Sequence, residues 1–267
     1  MNDLAVGRTK ATIVTGASEG IGAELARIFA AKGHEVVLVA RRRDRLEALA
    51  AEIASTGGKA HVIELDLCGE GAIDALEVAL RQAGLTPEIL VNNAGFGLIG
   101  PASKLDEAEQ LHMVELNVKA LSALTLRFMK PIMEAKGGIL NVASIASFMP
   151  GPNFAVYYAT KAYVRSFSEA IAQELAPLGV KVSCLCPGPV LTGFQARAGF
   201  DLTGAMAALK PSLVSAEEVA RQGYEGLFAG RRVVVPGVMN KFTVAFARLT
   251  PRAVLMPILA FAQNGRT

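Results

Sequence analysis

The sequence predicts an α/β fold, a doubly wound parallel sheet of about seven strands with helices on both faces. Three observations predict it. Short β-rich runs alternate with stretches whose apolar residues recur at three- and four-residue spacing. The runs are apolar on both faces, as strands covered on both sides by crossover helices must be. A chain of 267 residues buries one large core and is too short for two enzyme-sized domains.

In chain order the strand runs are "ATIVT" (11–15), "EVVLVA" (35–40), "AHVIEL" (60–65), "EILVN" (88–92), "GGILNVAS" (137–144), "VKVSCLCPG" (180–188) and "RRVVVPG" (231–237). The first helix presents Leu25, Ile28 and Phe29 on one face, and the second Leu46, Leu49, Ala50 and Ile53. A further helix is expected near 215–229. Residues 189–214 are too long and Gly-rich for a simple connection and read as a lid, which completes a unit over 1–238. Residues 239–267 form an apolar tail. There Phe242, Ala245, Phe246 and Leu249, then Leu255, Ile258, Leu259 and Ala262, recur at helical spacing, with a break and a fresh N-cap at Thr250-Pro251. Lys241, Arg248 and Arg252 supply cationic flanks. Two readings of the tail stay open: packing on its own or a neighbouring subunit, and a membrane-surface segment that admits a lipophilic substrate.

Composition excludes several classes. Although 52% of the residues are hydrophobic, no run reaches the roughly eighteen apolar residues that cross a bilayer. The N-terminus has no apolar signal region, so a cytoplasmic protein is expected. A net charge of +3, without basic residues interleaved with aromatics, gives no nucleic-acid surface. Cys184 and Cys186 share one face of an expected strand and, with Cys68, read as small buried hydrophobes. His34, His61 and His112 lack ligand spacing, so no metal site is expected.

The first strand runs into "TGASEGIGAELARIFA", where Gly16, Gly20 and Gly22 lead directly into a helix. Such a turn brings backbone N–H groups and the positive helix end against a pyrophosphate, at the first position of a long βα series. A dinucleotide is the expected ligand. At the end of the second strand, where a carboxylate would accept hydrogen bonds from NAD ribose hydroxyls, stands Ala40, followed by Arg41, Arg42 and Arg43. The plain reading is a solvated charge run. Arginines just ahead of a helix oppose its dipole, however, and a 2′-phosphate would offset that cost. NADP(H) is therefore preferred over NAD, with Arg41 as the first contact and Arg42 beside it.

In "YYATK" (157–161), Tyr157 and Tyr158 lie four and three residues before Lys161, and both spacings put the pair on one helix face. Spacing alone does not choose between them. Ser144, thirteen residues before Tyr157, ends an expected strand and so sits at the carboxyl edge of the sheet, where ligands of such folds bind. Taken in order, "TGASEGIG" (15–22), "NNAG" (92–95), Ser144, "YYATK" and "PGPVLT" (187–192) resemble the classical short-chain dehydrogenase/reductase (SDR) family over about residues 9 to 237.

The resemblance implies a Rossmann-type fold and a role for each matching residue. Tyr-x-x-x-Lys selects Tyr157 as general acid/base, with Lys161 lowering a phenol pKa that is ordinarily near 10. Ser144 holds the substrate oxygen, and Asn117 in "VELNVKA" keeps a backbone-held water that relays protons to Lys161. Tyr158 packs or lines the cleft, and Ser147 is a loop serine. Around the cofactor the resemblance places Gly16, Ser18, Glu19, Gly20, Ile21 and Gly22 at the phosphates. Asp66 and Leu67 fall beside the adenine, and Asn93, Ala94 and Gly95 beside its ribose. Pro187, Gly188, Val190 and Thr192 fall around the nicotinamide, with Tyr157 and Lys161.

The implied activity is hydride transfer between NADPH and the carbonyl of a hydrophobic ketone, aldehyde or 3-oxoacyl compound, or alcohol oxidation in reverse. Ile145, Phe148, Met149 and Phe154, with Phe194 and Phe200 of the lid, would give such a substrate apolar walls. A homodimer or homotetramer through two long helices, near 105–130 and 157–176, is implied as well. An NADP-binding regulatory or scaffold protein without turnover is the alternative, which the complete Asn117, Ser144, Tyr157 and Lys161 set disfavours.

Overall fold

The structure is a computed structural model that describes residues 8–190 and 214–264. Seven parallel strands form one sheet in the order β3-β2-β1-β4-β5-β6-β7. They are β1 (Thr9–Thr15), β2 (Glu35–Ala40), β3 (Lys59–Glu64), β4 (Leu85–Asn92), β5 (Gly138–Val142), β6 (Lys181–Leu185) and β7 (Val233–Val234). The described helices are α1 (Gly20–Ala31), α2 (Arg43–Ser55), α3 (Ala72–Gln82), α4 (Glu107–Val114), α5 (Leu121–Ala135), α6 (Ala155–Leu175), α7 (Ala216–Phe228), α8 (Val238–Leu249) and α9 (Arg252–Asn264).

Successive strand residues point to opposite faces, so each apolar strand feeds two cores. Val14, Val36, Leu38, Val91 and Leu140 pack under α1, α2 and α7, where Leu25, Phe29, Leu46 and Val219 close over them. Ile13, Val37, Val39, Leu90 and Ile139 face the other way, against α3, α5 and α6. This accounts for strands that read as continuous hydrophobic runs. Burying each such Leu, Ile or Phe contributes about 1.5–3 kcal/mol.

Several buried polar side chains are paired across the sheet, although Asn92 Oδ1 has no partner among the described residues. Asn92 Nδ2 donates to Thr125 Oγ1 and to Asn141 Oδ1, both at 2.9 Å, and Asn141 Nδ2 donates to Ser168 Oγ at 2.9 Å. The ladder locks β4 and β5 to α5 and α6.

Several boundaries differ from expectation for local reasons. The strand expected over 231–237 shrinks to Val233–Val234, because Pro236 offers no N–H to a ladder and Gly237 then turns the chain into α8. β5 ends at Val142, so Ser144 lies past the strand and caps a 3₁₀ turn, Ile145–Phe148, by accepting from Ala146 N at 3.1 Å. The helix expected near 105–130 runs from Glu107 to Ala135, but with a π-helical stretch, Glu115–Ala120, between α4 and α5. The segment read as a lid falls almost wholly outside the described residues, as do Thr192, Phe194 and Phe200.

At the C-terminus Thr250 adopts an extended conformation, as a residue before proline prefers, and separates α8 from α9. Val244, Ala247 and Leu255 anchor the pair to the body. Asn240 lies directly over Gly188 and donates to the Pro236 carbonyl at 2.7 Å.

Candidate active site

The chain steps outward from β1 to β3 and then returns to place β4 on the other side of β1, so a crevice opens between the carboxyl ends of β1 and β4. Thr15 stitches it. Its Oγ1 donates to the Val91 carbonyl at 3.1 Å and accepts from the backbone N–H groups of Asn93 and Ala94, at 3.0 and 3.1 Å. A cavity of about 840 Å³ runs along this edge, from the glycine turn after β1 to Tyr157.

At one end, Gly16, Ser18, Glu19, Gly20 and Ile21 form the wall. Gly16 turns the chain at φ +64°, and a Cβ on Gly22 would strike the Gly16 carbonyl and the Asn93 amide. Gly22 itself stands behind the wall. Helix α1 opens without a side-chain cap and without an acid in its first turn, so its N–H groups and dipole face the cavity unopposed. These residues fit a pyrophosphate: the cradle is one a Cβ would fill, and the donor set is that of an anion site.

The arginine run is more structured than a block of free charge. Arg42 donates to Ser18 Oγ at 2.8 Å and pairs with Glu19 at 2.9 Å, while Arg41 stands 3.8 Å from Asp66. Arg43 turns away to Glu47, at 2.7 Å. The conflict expected with the α2 dipole is thus relieved within the chain, helped by Asp44 in the first turn of α2. Arg41, Arg42, Asp66, Leu67, Asn93, Ala94 and Gly95 all line the cavity.

The other end holds Ser144, Tyr157 and Lys161, with Pro187, Gly188 and Val190. Tyr157 is 7% exposed and stacks on Phe154 with ring centroids 4.4 Å apart. Its hydroxyl hydrogen-bonds Ser144, whose Oγ also lies 3.4 Å from the Pro187 carbonyl. Lys161, 5% exposed, donates to the Val142 carbonyl at 2.9 Å and lies 5.8 Å from the Tyr157 ring centroid. Burial raises the Tyr157 pKa and outweighs the Ser144 hydrogen bond, and burial lowers Lys161 to about 8.

Asn117 sits on the π-helical stretch and does not line the cavity. Its Oδ1 accepts from Phe96 N at 3.1 Å, and its Nδ2 donates to the Phe96 carbonyl at 2.9 Å and to Thr160 Oγ1 at 3.1 Å. Thr160 in turn donates to the Tyr157 carbonyl at 2.7 Å. The asparagine side chain is therefore a brace between the strand β4 exit and the helix that carries Tyr157.

A family model described as short chain dehydrogenase matches residues 10–201. The chain belongs to the classical short-chain dehydrogenase/reductase family. It is 34% identical over 219 residues to sulfoacetaldehyde reductase of Chromohalobacter salexigens, covering 80% of this chain and 86% of that one. Among solved structures, a short-chain dehydrogenase from Sphingobium yanoikuyae in complex with NADPH is 30% identical, with a TM-score of 0.78 over 93% of this chain and 95% of that chain. A 3-ketoacyl-(acyl-carrier-protein) reductase from Brucella melitensis complexed with NADH is also 30% identical, with a TM-score of 0.74 over 85% and 96%.

In this SDR the Tyr157 end of the cavity is walled by residues that motif reading finds only in part. Ile145, Met149, Phe154 and Tyr158 face the cavity, whereas Phe148 packs in the core, with the Arg165 guanidinium 4.2 Å above its ring. Ser147, read as a loop serine, lies in the 3₁₀ turn and is buried against Cys186. The Cys184 and Cys186 sulfurs, both buried, approach to 3.7 Å. Phe96, His112 and Leu116 also line the cavity, outside the motifs although they follow "NNAG" and precede Asn117 closely enough to be sought there. Thr243 and Leu259 of the tail also reach the cavity, and no motif points to them.

Proposed function

We propose that this SDR is an NADP(H)-dependent carbonyl reductase for a hydrophobic ketone, aldehyde or 3-oxoacyl substrate. The observation that carries the reading is one cavity with two chemically distinct ends: an anion cradle flanked by Arg41 and Arg42, and a Tyr157–Ser144 pair among Phe96, Ile145, Met149 and Phe154. Gly16, Ser18, Gly20 and the α1 N-terminus would hold the pyrophosphate, and Arg41 the 2′-phosphate. Bound there, the nicotinamide cofactor supplies the hydride.

The chain's own residues supply the proton and the orientation. The Tyr157 hydroxyl and Ser144, hydrogen-bonded to each other, would together hold a carbonyl oxygen. Because burial keeps the Tyr157 phenol protonated, it stands ready to donate as the oxygen gains negative charge. It is the protonation state from which carbonyl reduction starts. Lys161 then sets a positive charge behind the developing phenolate, and Asn117 fixes the helix register through Thr160. Exposed Leu111, Val114, Leu126 and Tyr163 on α4, α5 and α6 support assembly into a homodimer or homotetramer through those helices.

The test is initial-rate NADPH oxidation with ketones, aldehydes and 3-oxoacyl thioesters of graded size, in wild type and Tyr157→Phe. Turnover that rises with apolar substrate size and disappears in a variant that still binds NADPH supports the reading. No turnover of any substrate, or an equally active variant, overturns it.

A further inference from the structure

We propose that α8 and α9 form an interfacial surface that seats this protein on an anionic membrane and draws lipophilic substrate from it. The delivery half of the proposal rests on the carbonyl reductase reading; the docking half does not.

The apolar residues of α8 fall into two sets. Val244 and Ala247 point inward, while Val238, Phe242, Phe246 and Leu249 recur on the opposite face and stand in solvent. Phe242 is 67% exposed and Leu249 84%. Val254, Met256 and Ile258 extend the exposed apolar surface onto α9. Isolated exposed side chains of this kind are ordinary, but a face built from Phe, Leu, Val and Met on two successive helices marks a contact surface.

Charge identifies what the surface contacts. Every Asp and Glu of the chain lies before residue 226, so the tail carries cations alone. Lys241 and Arg248 share one edge of the apolar face of α8, and Arg252 begins α9. None of the three forms an ion pair with another described residue. A two-fold contact between copies over this face would set these cations against one another with no carboxylate to pair them. Anionic lipid headgroups supply the missing charge, and acyl chains accept the aromatic and aliphatic face, as for helices that lie in the interfacial plane. Among the described residues no helix is long and apolar enough to cross a membrane, so the contact is with its surface.

The same helices wall the cavity. Thr243 and Leu259 line it, and Asn240 rests on Gly188 beside Val190. A surface seated in lipid thus holds the substrate end of the cavity against the membrane.

The test is co-sedimentation of the full chain with vesicles of equal phosphatidylcholine and phosphatidylglycerol, and with vesicles of phosphatidylcholine alone. Binding to the anionic vesicles should exceed binding to the neutral ones by at least about tenfold and weaken in high salt. The double variant Phe242→Asp/Leu249→Asp should lose at least about tenfold in vesicle binding while its thermal midpoint and NADPH affinity stay unchanged. Lys241→Glu/Arg248→Glu should lose the preference for anionic lipid. Absence of wild-type binding to anionic vesicles, or equal binding by the Asp variant, overturns the proposal. So does a variant that falls from oligomer to monomer when the wild type ignores vesicles, which would make the face a self-association contact. For delivery, a long-chain ketone carried in anionic vesicles is compared with a short soluble one. The Asp variant should keep the soluble reaction and lose the vesicle-borne one; equal rates on both overturn delivery. A wild type inactive on both defeats the reductase reading, and sedimentation still decides the docking surface.

Discussion

Lys161 Nζ donates to the Val142 carbonyl oxygen at 2.9 Å, which pins the lysine of α6 to the end of strand β5. Pinned and buried, it titrates near pH 8 rather than near 10.5.

The first prediction concerns pH. Between about 8 and 10.5 the unfolded chain holds a proton on Lys161 that the folded chain has released, so this group makes stability rise with pH across that window. Tyr157 acts in the opposite sense: its folded pKa is raised, so stability falls as pH climbs above 10. In catalysis the ammonium is the useful form. The kcat/KM for carbonyl reduction should therefore decline above about pH 8, and Lys161→Met should remove that limb and lower kcat about 100-fold or more. A pH–rate profile that stays flat to pH 9.5 would exclude Lys161 as the controlling group.

The adjacent tyrosines should separate cleanly. Tyr157 bonds Ser144, whereas the Tyr158 ring packs over Gly151 at the cavity wall. Tyr157→Phe should lower kcat by about 10²–10⁴-fold. Tyr158→Phe, by contrast, keeps the ring and should stay within about threefold of wild type, since surface-like contacts of this kind contribute little. Steady-state kinetics of the two variants decides the assignment.

The two cavity arginines should behave differently as well. Arg41 has only a distant partner, Asp66, and is available to a 2′-phosphate; Arg41→Ala should raise the NADPH Kd about 10- to 100-fold and leave NADH nearly unchanged. Arg42 also braces Ser18 and Glu19, so Arg42→Ala should weaken both cofactors. Fluorescence titration of each variant with each cofactor reads this out. Equal losses for Arg41→Ala with both cofactors would place the arginine away from the phosphate.

Stability should depend on the buried amide ladder. Asn141→Ala removes one of the two bonds made by the Asn92 amide, which keeps Thr125, and the bond to Ser168, at a cost of about 1–3 kcal/mol by urea denaturation. A loss below about 0.5 kcal/mol would mean that the ladder relaxes around the gap.

Much of this architecture is legible in the chain because its physical causes are local. "EVVLVA" reads as a strand for the same reason it is one: six consecutive residues that both cores accept. The glycine turn, Ser144 and Tyr157 all line one cavity, each set there by the end of a strand or by a helix that follows it. The π-helical stretch was not legible, because "ELNVKA" carries no residue that separates a π turn from an α turn. Nor was the raised pKa of Tyr157, which follows from burial by Phe154 and its neighbours rather than from the tyrosine–lysine spacing. Thr243 and Leu259 reach the cavity only because the tail helices fold back onto the body, with Asn240 of α8 over Gly188, a long-range event.

The π-helical stretch Glu115–Ala120 has a consequence for anyone seeking a sturdier version of this protein. Its wide turns forgo the tighter bonding of the α-helices on either side, so removing one residue there would yield a smoother and more robust rod. The helices on either side would keep their faces, since the wide turn is what absorbs the extra residue, but side chains within the stretch would be re-aimed by up to about 100°. Asn117 would swing away from Phe96 and Thr160, and the helix bearing Tyr157 would lose its tie to the β4 exit. Thermal hardening at this place and enzymatic competence therefore pull in opposite directions.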